Sequence, residues 1–340
     1  MSAKARLCAF LPLAALAAFA GGASVAGGEA VSPVAGDAQP QASAIEAQRA
    51  LFRPKTFPSA PVRVALDVSP GSNMPFVAGS LEGRECLFLL DTGATHTTLD
   101  LNFLRSAASD VKLTPVEMAA QSNVASMPWI CDVSSLRVGD AEFGGFKAMA
   151  LDLGHLFGSV GKPIAGILGM NVLGCTRTLL SLGGGEVTFG LGKDAREGFG
   201  PPARRDPSDP DTLLLTALVG DRRVGVIVDS GSSFTLLPEY SGWPASTNRF
   251  SVGAHDINAA GSLSSRLGEE GELVLLPRAS LKIRPLVTDR PLSQIGADVL
   301  RRYDLLIEER AVAFKPFAPP AETTQPPAQP QPTQAKGEEQ

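Results

Sequence analysis

The chain's 340 residues suffice for two ordinary domains or one two-lobed body, and a hydrophobic fraction of 44% supplies a core. A net charge of −5, with basic residues paired only locally at Arg204-Arg205 and Arg301-Arg302, excludes the electrostatic footprint of a nucleic-acid binder. His96, His155 and His255 lie far apart and the cysteines match no zinc spacing, so neither a metal site nor a cofactor is expected.

Residues 1–26 read as an export signal. Lys4 and Arg6 precede an apolar run from Leu7 to Phe19, and both Ala18-Phe19-Ala20 and Ser24-Val25-Ala26 fit the small-x-small cleavage rule. The run is short for a membrane span and no later run approaches one, so stable membrane insertion is not expected; an uncleaved anchor is the alternative. The expected location is periplasmic or secreted. Loss of the signal would leave Cys86, Cys131 and Cys175, an odd number that allows one disulfide or three buried thiols.

Residues 27–60, rich in Ala, Gly, Pro and Gln, read as a linker or pro-segment with little fixed structure. Arg49, Arg53, Lys55 and Arg63 give this region a basic character. From 61 onward, short apolar runs alternate with turn residues: VRVALDV, CLFLL, SSLRV, AMALDL, EVTFG, then TLLLTALV, VGVIV, ELVLL and AVAF. Runs of four to eight bounded by Gly, Pro, Asp and Asn predict strands. Helical turns are expected near Leu101–Ala108, Asn171 and Val299. A proline-rich break at 201–211 separates a first lobe, 61–200, from a second, 212–317. Residues 318–340 form a polar Pro/Gln-rich tail that buries too little to offset its ordering entropy.

The two halves repeat. PFVAGSLEGRECLFLLDTGATHTTLDL (75–101) parallels TLLLTALVGDRRVGVIVDSGSSFTLLPE (212–239), with a one-residue difference expected in the hairpin turn. Downstream, GILGMNVLGCTRTLLSLGGGEVTFG (166–190) parallels SQIGADVLRRYDLLIEERAVAFK (293–315). Such order repetition predicts two similar lobes about an approximate two-fold axis, as in a dimer fused into one chain.

Each apolar strand ends in Asp-hydroxyl-Gly. A carboxylate at the end of a buried strand is costly unless it is hydrogen-bonded or does chemistry. Gly93 and Gly231 let the chain turn sharply and let other groups come close. Across a two-fold, Asp91 would face Asp229. Carboxylates about 3 Å apart cannot both ionise, so one serves as base and its neighbour as acid; the aspartic-protease dyad is the standard example of such a pair. Either Asp could instead be an ordinary turn residue. A serine-hydrolase reading of Asp229-Ser230-Gly231 finds no partner motif.

Asp91-Thr92-Gly93-Ala94 with Ile167-Leu168-Gly169, and Asp229-Ser230-Gly231-Ser232 with Gln294-Ile295-Gly296, resemble the pepsin and retropepsin superfamily of aspartic proteases, over residues 62 to 317. Gln294 departs from the apolar residue usual there. The resemblance implies an all-β fold of two β-barrel lobes with a cleft between them, Asp91 and Asp229 as catalytic residues, and Thr92, Gly93, Ala94, Ser230, Gly231 and Ser232 as loop support. It also implies flaps, one around Gln121, Ser122 and Asn123 and another around Ala260, Gly261 and Ser262. A flap tyrosine is absent, since Tyr240 and Tyr303 fall elsewhere, so two fused retropepsin-type units are the better match. The implied activity is endopeptidase cleavage of an extended polypeptide by a monomer; the rival is a non-catalytic peptide-binding or sensor protein of the same fold. Because Ser232 carries a hydroxyl where Ala94 does not, Asp229 is expected to ionise more readily than Asp91. His96 and Phe234, in matching positions, are expected to line the lobe interior or the cleft edge, and Trp129 to pack beside the first flap.

Overall fold

The strand Arg84–Leu90 begins exposed and ends in a fully buried Phe88-Leu89-Leu90 run that delivers Asp91 to the interior. This computed structural model describes residues 8–10, 46–47, 49–68, 73–107, 110–116, 128–157, 164–206, 211–255, 260–291 and 293–318. Among the described residues the protein is mostly β, in two sheets, one of fifteen strands and one of ten.

Within each half the same ladder recurs. In the first, Pro75–Leu81 pairs antiparallel with Arg84–Leu90, which pairs parallel with Ile164–Leu168. That strand pairs antiparallel with Thr98–Asp100, which runs parallel to Phe146–Leu151. In the second half the corresponding series is Leu214–Val219, Arg222–Val228, Gln294–Ile295, Leu236–Pro238 and Leu286–Thr288, with the same alternation of senses. A late strand is thus wedged between the two strands that flank each Asp loop. Strands buried on both sides call for continuous apolar sequence, and Ile164–Leu168 is buried throughout. The first hairpins match in length: Leu81 pairs with Arg84 and Val219 with Arg222, each across a two-residue turn. The expected one-residue difference is therefore absent, and the halves stay in register from turn to aspartate. Glu82 and Gly83 both have positive φ, 48° and 78°, as tight hairpins require.

The closing hairpins of the two halves meet. Thr178–Ser181 pairs antiparallel with Tyr303–Glu308, so Leu180 faces Leu305 in a shared sheet. Val62–Val68 flanks this sheet on one side and Ala203–Arg204 on the other. The latter strand lies within the segment read as an interlobe break. One apolar core runs through both halves, with smaller clusters under each Asp loop around Leu89 and Ile167, and around Leu236 and Leu263. Short helical turns stand at Leu101–Ala107, Met170–Leu173 and Ala297–Leu300, where the sequence predicts them.

Three expectations need correction or completion. Residues 46–60 are not structureless: 46–47 and 49–52 are helical, Phe52 is buried, and Thr56 bridges to Gly144. A long hairpin, Ala245–His255 with Ala260–Gly268, contains the segment expected as the second flap, but its strands were not among the predicted ones; residues 246–251 are exposed, while Val252 and Leu263 join a core cluster. Cys8–Phe10, inside the predicted signal, pairs in parallel with Gly253–His255 at the edge of the smaller sheet. No helix among the described residues is long and apolar enough to cross a membrane.

Candidate active site

Both Asp loops are built by the same hydrogen bonds. The Asp91 N–H donates to the Leu168 carbonyl at 3.0 Å, and the Asp229 N–H to that of Ile295 at 2.9 Å. Met170 N–H donates to Ala94 O at 2.8 Å, and Ala297 N–H to Ser232 O at 2.7 Å. The glycine of each downstream element permits this approach. A Cβ on Gly169 would lie 2.6 Å from the His96 carbonyl carbon, and one on Gly296 would lie 2.4 Å from that of Phe234. Any side chain there would push the loop away.

The loops interlock. The Thr92 hydroxyl donates to Val228 O at 2.7 Å while accepting from Ser230 N–H at 3.0 Å. Reciprocally, the Ser230 hydroxyl donates to Leu90 O at 2.8 Å and accepts from Thr92 N–H at 3.1 Å. Each hydroxyl therefore joins one loop to the strand end of the other half, and all four groups are buried and paired.

This lock brings Asp91 and Asp229 together. A Cβ on Gly93 would lie 2.7 Å from Asp229 Cγ, and one on Gly231 would lie 2.5 Å from Asp91 Cγ. Each glycine leaves room for the carboxyl of the opposite half. Asp91 is 5% exposed and Asp229 1%. Asp91 Oδ1 accepts from Gly93 N–H at 2.7 Å and Ala94 N–H at 3.2 Å. Asp229 Oδ1 accepts from Gly231 N–H at 3.0 Å, the Ser232 amide acting more weakly, and its carboxyl lies within hydrogen-bonding reach of that of Asp91. Burial raises the pKa of Asp91, and its hydrogen bonds work against the rise. Burial first, and then the charge of Asp91, push Asp229 well above the usual carboxylate range. Groups this close titrate as a unit.

The donor expected to favour ionised Asp229 is not aimed at it. The Ser232 hydroxyl donates to Phe234 O at 3.1 Å and not to Asp229. The pairing responsible comes from Gln294, whose amide nitrogen donates to the Ser232 oxygen.

Of the other predicted residues, Gln121, Ser122 and Asn123 lie outside the described residues. Ala260, Gly261 and Ser262 belong to the hairpin Ala245–Gly268, paired with His255, Ala254 and Gly253. His96 stacks on Phe52 with ring centroids 4.4 Å apart, and burial lowers its pKa. Phe234 packs on the Leu236 cluster, and Trp129 packs half-buried against the main core. Cys86, Cys131 and Cys175 are free thiols, each pushed up to about 12 chiefly by burial. Among the described residues no cluster of side chains suits a metal ion.

Sequence reasoning overlooked a second tier of support. Thr97 donates through its hydroxyl to Asn171 at 2.9 Å, and Thr235 to Asp298 at 2.8 Å. These four occupy equivalent places in the aligned halves, and that correspondence was the available signal.

A family model described as an aspartyl protease matches residues 77–172. The match spans the Asp91 loop and its Ile167-Leu168-Gly169 partner, so this part of the chain is similar to an aspartyl protease domain. No curated protein matches the chain.

Proposed function

We propose that the chain is an exported aspartic-type endopeptidase whose two lobes, related by a pseudo-two-fold, supply one aspartate each. The observation that carries this reading is the reciprocal Thr92–Ser230 lock, with each loop glycine packed against the opposite carboxyl. A pure binder has little need of two buried carboxyls whose mutual repulsion must be offset. The aspartyl protease match over residues 77–172 supports the same class.

In this mechanism Asp91 is ionised and Asp229 protonated. Asp91 takes a proton from water as the water oxygen attacks the amide carbonyl, and Asp229 gives its proton to the carbonyl oxygen. The tetrahedral diol then collapses: Asp91 gives its proton to the leaving nitrogen, Asp229 takes one from a diol hydroxyl as the carboxyl forms, and the C–N bond breaks. The pair ends with its one proton restored. The substrate is an extended polypeptide held by strand-like pairing, for which the hairpin 245–268 is a candidate edge.

The test is cleavage of an unfolded protein across a pH scan. Cleavage at mildly acidic pH, blocked by a statine-type peptide and lost in Asp91→Ala and Asp229→Asn, is the expected result. Peptide binding without cleavage at any pH would favour the non-catalytic reading.

A further inference from the structure

Gln294 is fully buried beside the Asp229 loop, yet it is polar. Its counterpart in the first half is Ile167: Ile167 pairs with Leu89, and Gln294 with Ile227, two residues before the respective aspartates. Ile167 packs in an apolar cluster. Gln294 instead sends its amide nitrogen to Ser232 Oγ and, at 3.3 Å, to Phe234 O, leaving Oε1 buried without a partner. The Phe234 carbonyl can only accept, so the amide nitrogen must face it. A buried amide with an unpaired oxygen is a standing cost, and it calls for an explanation.

The consequence lies one residue further on. The Ser232 oxygen accepts from Gln294 and its proton goes to Phe234 O. Oriented this way, the hydroxyl gives its proton to Phe234 O and not to Asp229, whose carboxyl is buried against that of Asp91. Asp91, with no hydroxyl in its loop at the matching Ala94, draws on two backbone N–H groups instead.

We propose that Gln294 is a positioning residue that decides which aspartate carries the shared proton: it holds the Ser232 hydroxyl on the Phe234 carbonyl, withholds a donor from Asp229, and so makes Asp229 the acid and Asp91 the base. This rests on the acid–base reading of the pair. The titratable group facing Asp229 across the junction is Asp91. On its own side the loop meets uncharged Gln294 and the helical turn Ala297–Leu300, whose Asp298 is engaged by Thr235.

The experiment compares wild type, Gln294→Met, and Gln294→Met with Ser232→Ala. Methionine keeps the length and loses the donor; Gln294→Leu serves as a second variant should methionine fail to fold. Titration of carbon-13-labelled aspartate carboxyls by NMR reads the pair without needing cleavage, and the pH–rate profile reads it in turnover. In Gln294→Met the freed Ser232 hydroxyl turns to Asp229 and favours its ionised form. The upper titration, and with it the alkaline limb of activity, moves down by about one pH unit. Adding Ser232→Ala returns it to the wild-type position. An unmoved upper titration in Gln294→Met, or a shift that Ser232→Ala does not reverse, overturns the proposal. A wild type that cleaves nothing while the carboxyls titrate as described overturns the peptidase reading and leaves this assignment standing.

Discussion

Two aspartates in near-identical motifs acquire different environments here, because hydrogen bonds from outside the motif decide where a hydroxyl points. Ser232 is the residue that distinguishes the two loops in sequence, and local reasoning makes it a donor to Asp229. Gln294, more than sixty positions on, takes that hydroxyl out of reach. The raised pKa values of Asp91 and Asp229 have a consequence for stability. A carboxyl whose folded pKa lies above its unfolded value stabilises most below the unfolded value, near pH 4, and that contribution is lost as pH rises through the folded value. Asp298, raised mainly by burial, acts in the same direction. Asp229→Asn removes the part of this loss that falls on Asp229. Its melting temperature is expected to exceed that of wild type at pH 7, with the two converging below pH about 4. A thermal melt series across pH checks this; a variant that melts below wild type at pH 7 contradicts it.

The strands that carry the aspartates were legible because their apolar runs end abruptly at turn residues, and the downstream Gly elements because they recur in order. The strands of the hairpin 245–268 were not, beyond the flap expected around Ala260, since residues 246–251 are exposed and carry no apolar run to read. The segment 46–60 was misread for a related reason. Its composition is that of a linker, but one aromatic is enough to seat it. Phe52 stacks on His96, its carbonyl accepts from Asn171 Nδ2 at 2.7 Å, and Arg49 pairs with Asp211 at 2.8 Å. Asn171 and His96 belong to the element and loop that hold Asp91, so the segment braces that loop from behind. Phe52→Ala is expected to cost about 3 kcal/mol, as large-to-small changes at buried aromatics do. A chain beginning at residue 60 is expected to lose at least as much. Denaturant midpoints of the three forms measure it, and equal midpoints would show that the segment is no brace.

The halves are joined at the interlocked loops and along the register that sets Leu180 beside Leu305. The main apolar core runs across both. Neither half can therefore open without breaking a shared sheet and exposing part of a common core, so the protein is expected to unfold in one cooperative transition. Calorimetry should give a single peak whose calorimetric and van't Hoff enthalpies agree. Two resolved transitions would mean that the halves are energetically independent.

Periodicity, turn residues and the internal repeat were enough to name the strands, the two Asp loops and the partners that follow them, because those features are local or recur in order along the chain. They could not say which groups would face each other. That Gly93 packs on Asp229 and Gly231 on Asp91, that Ser232 turns away, and that Phe52 lies on His96 are matters of distance between segments far apart in sequence. Hydrogen-bond direction and close packing depend on a few tenths of an ångström, which only the folded arrangement of both halves defines.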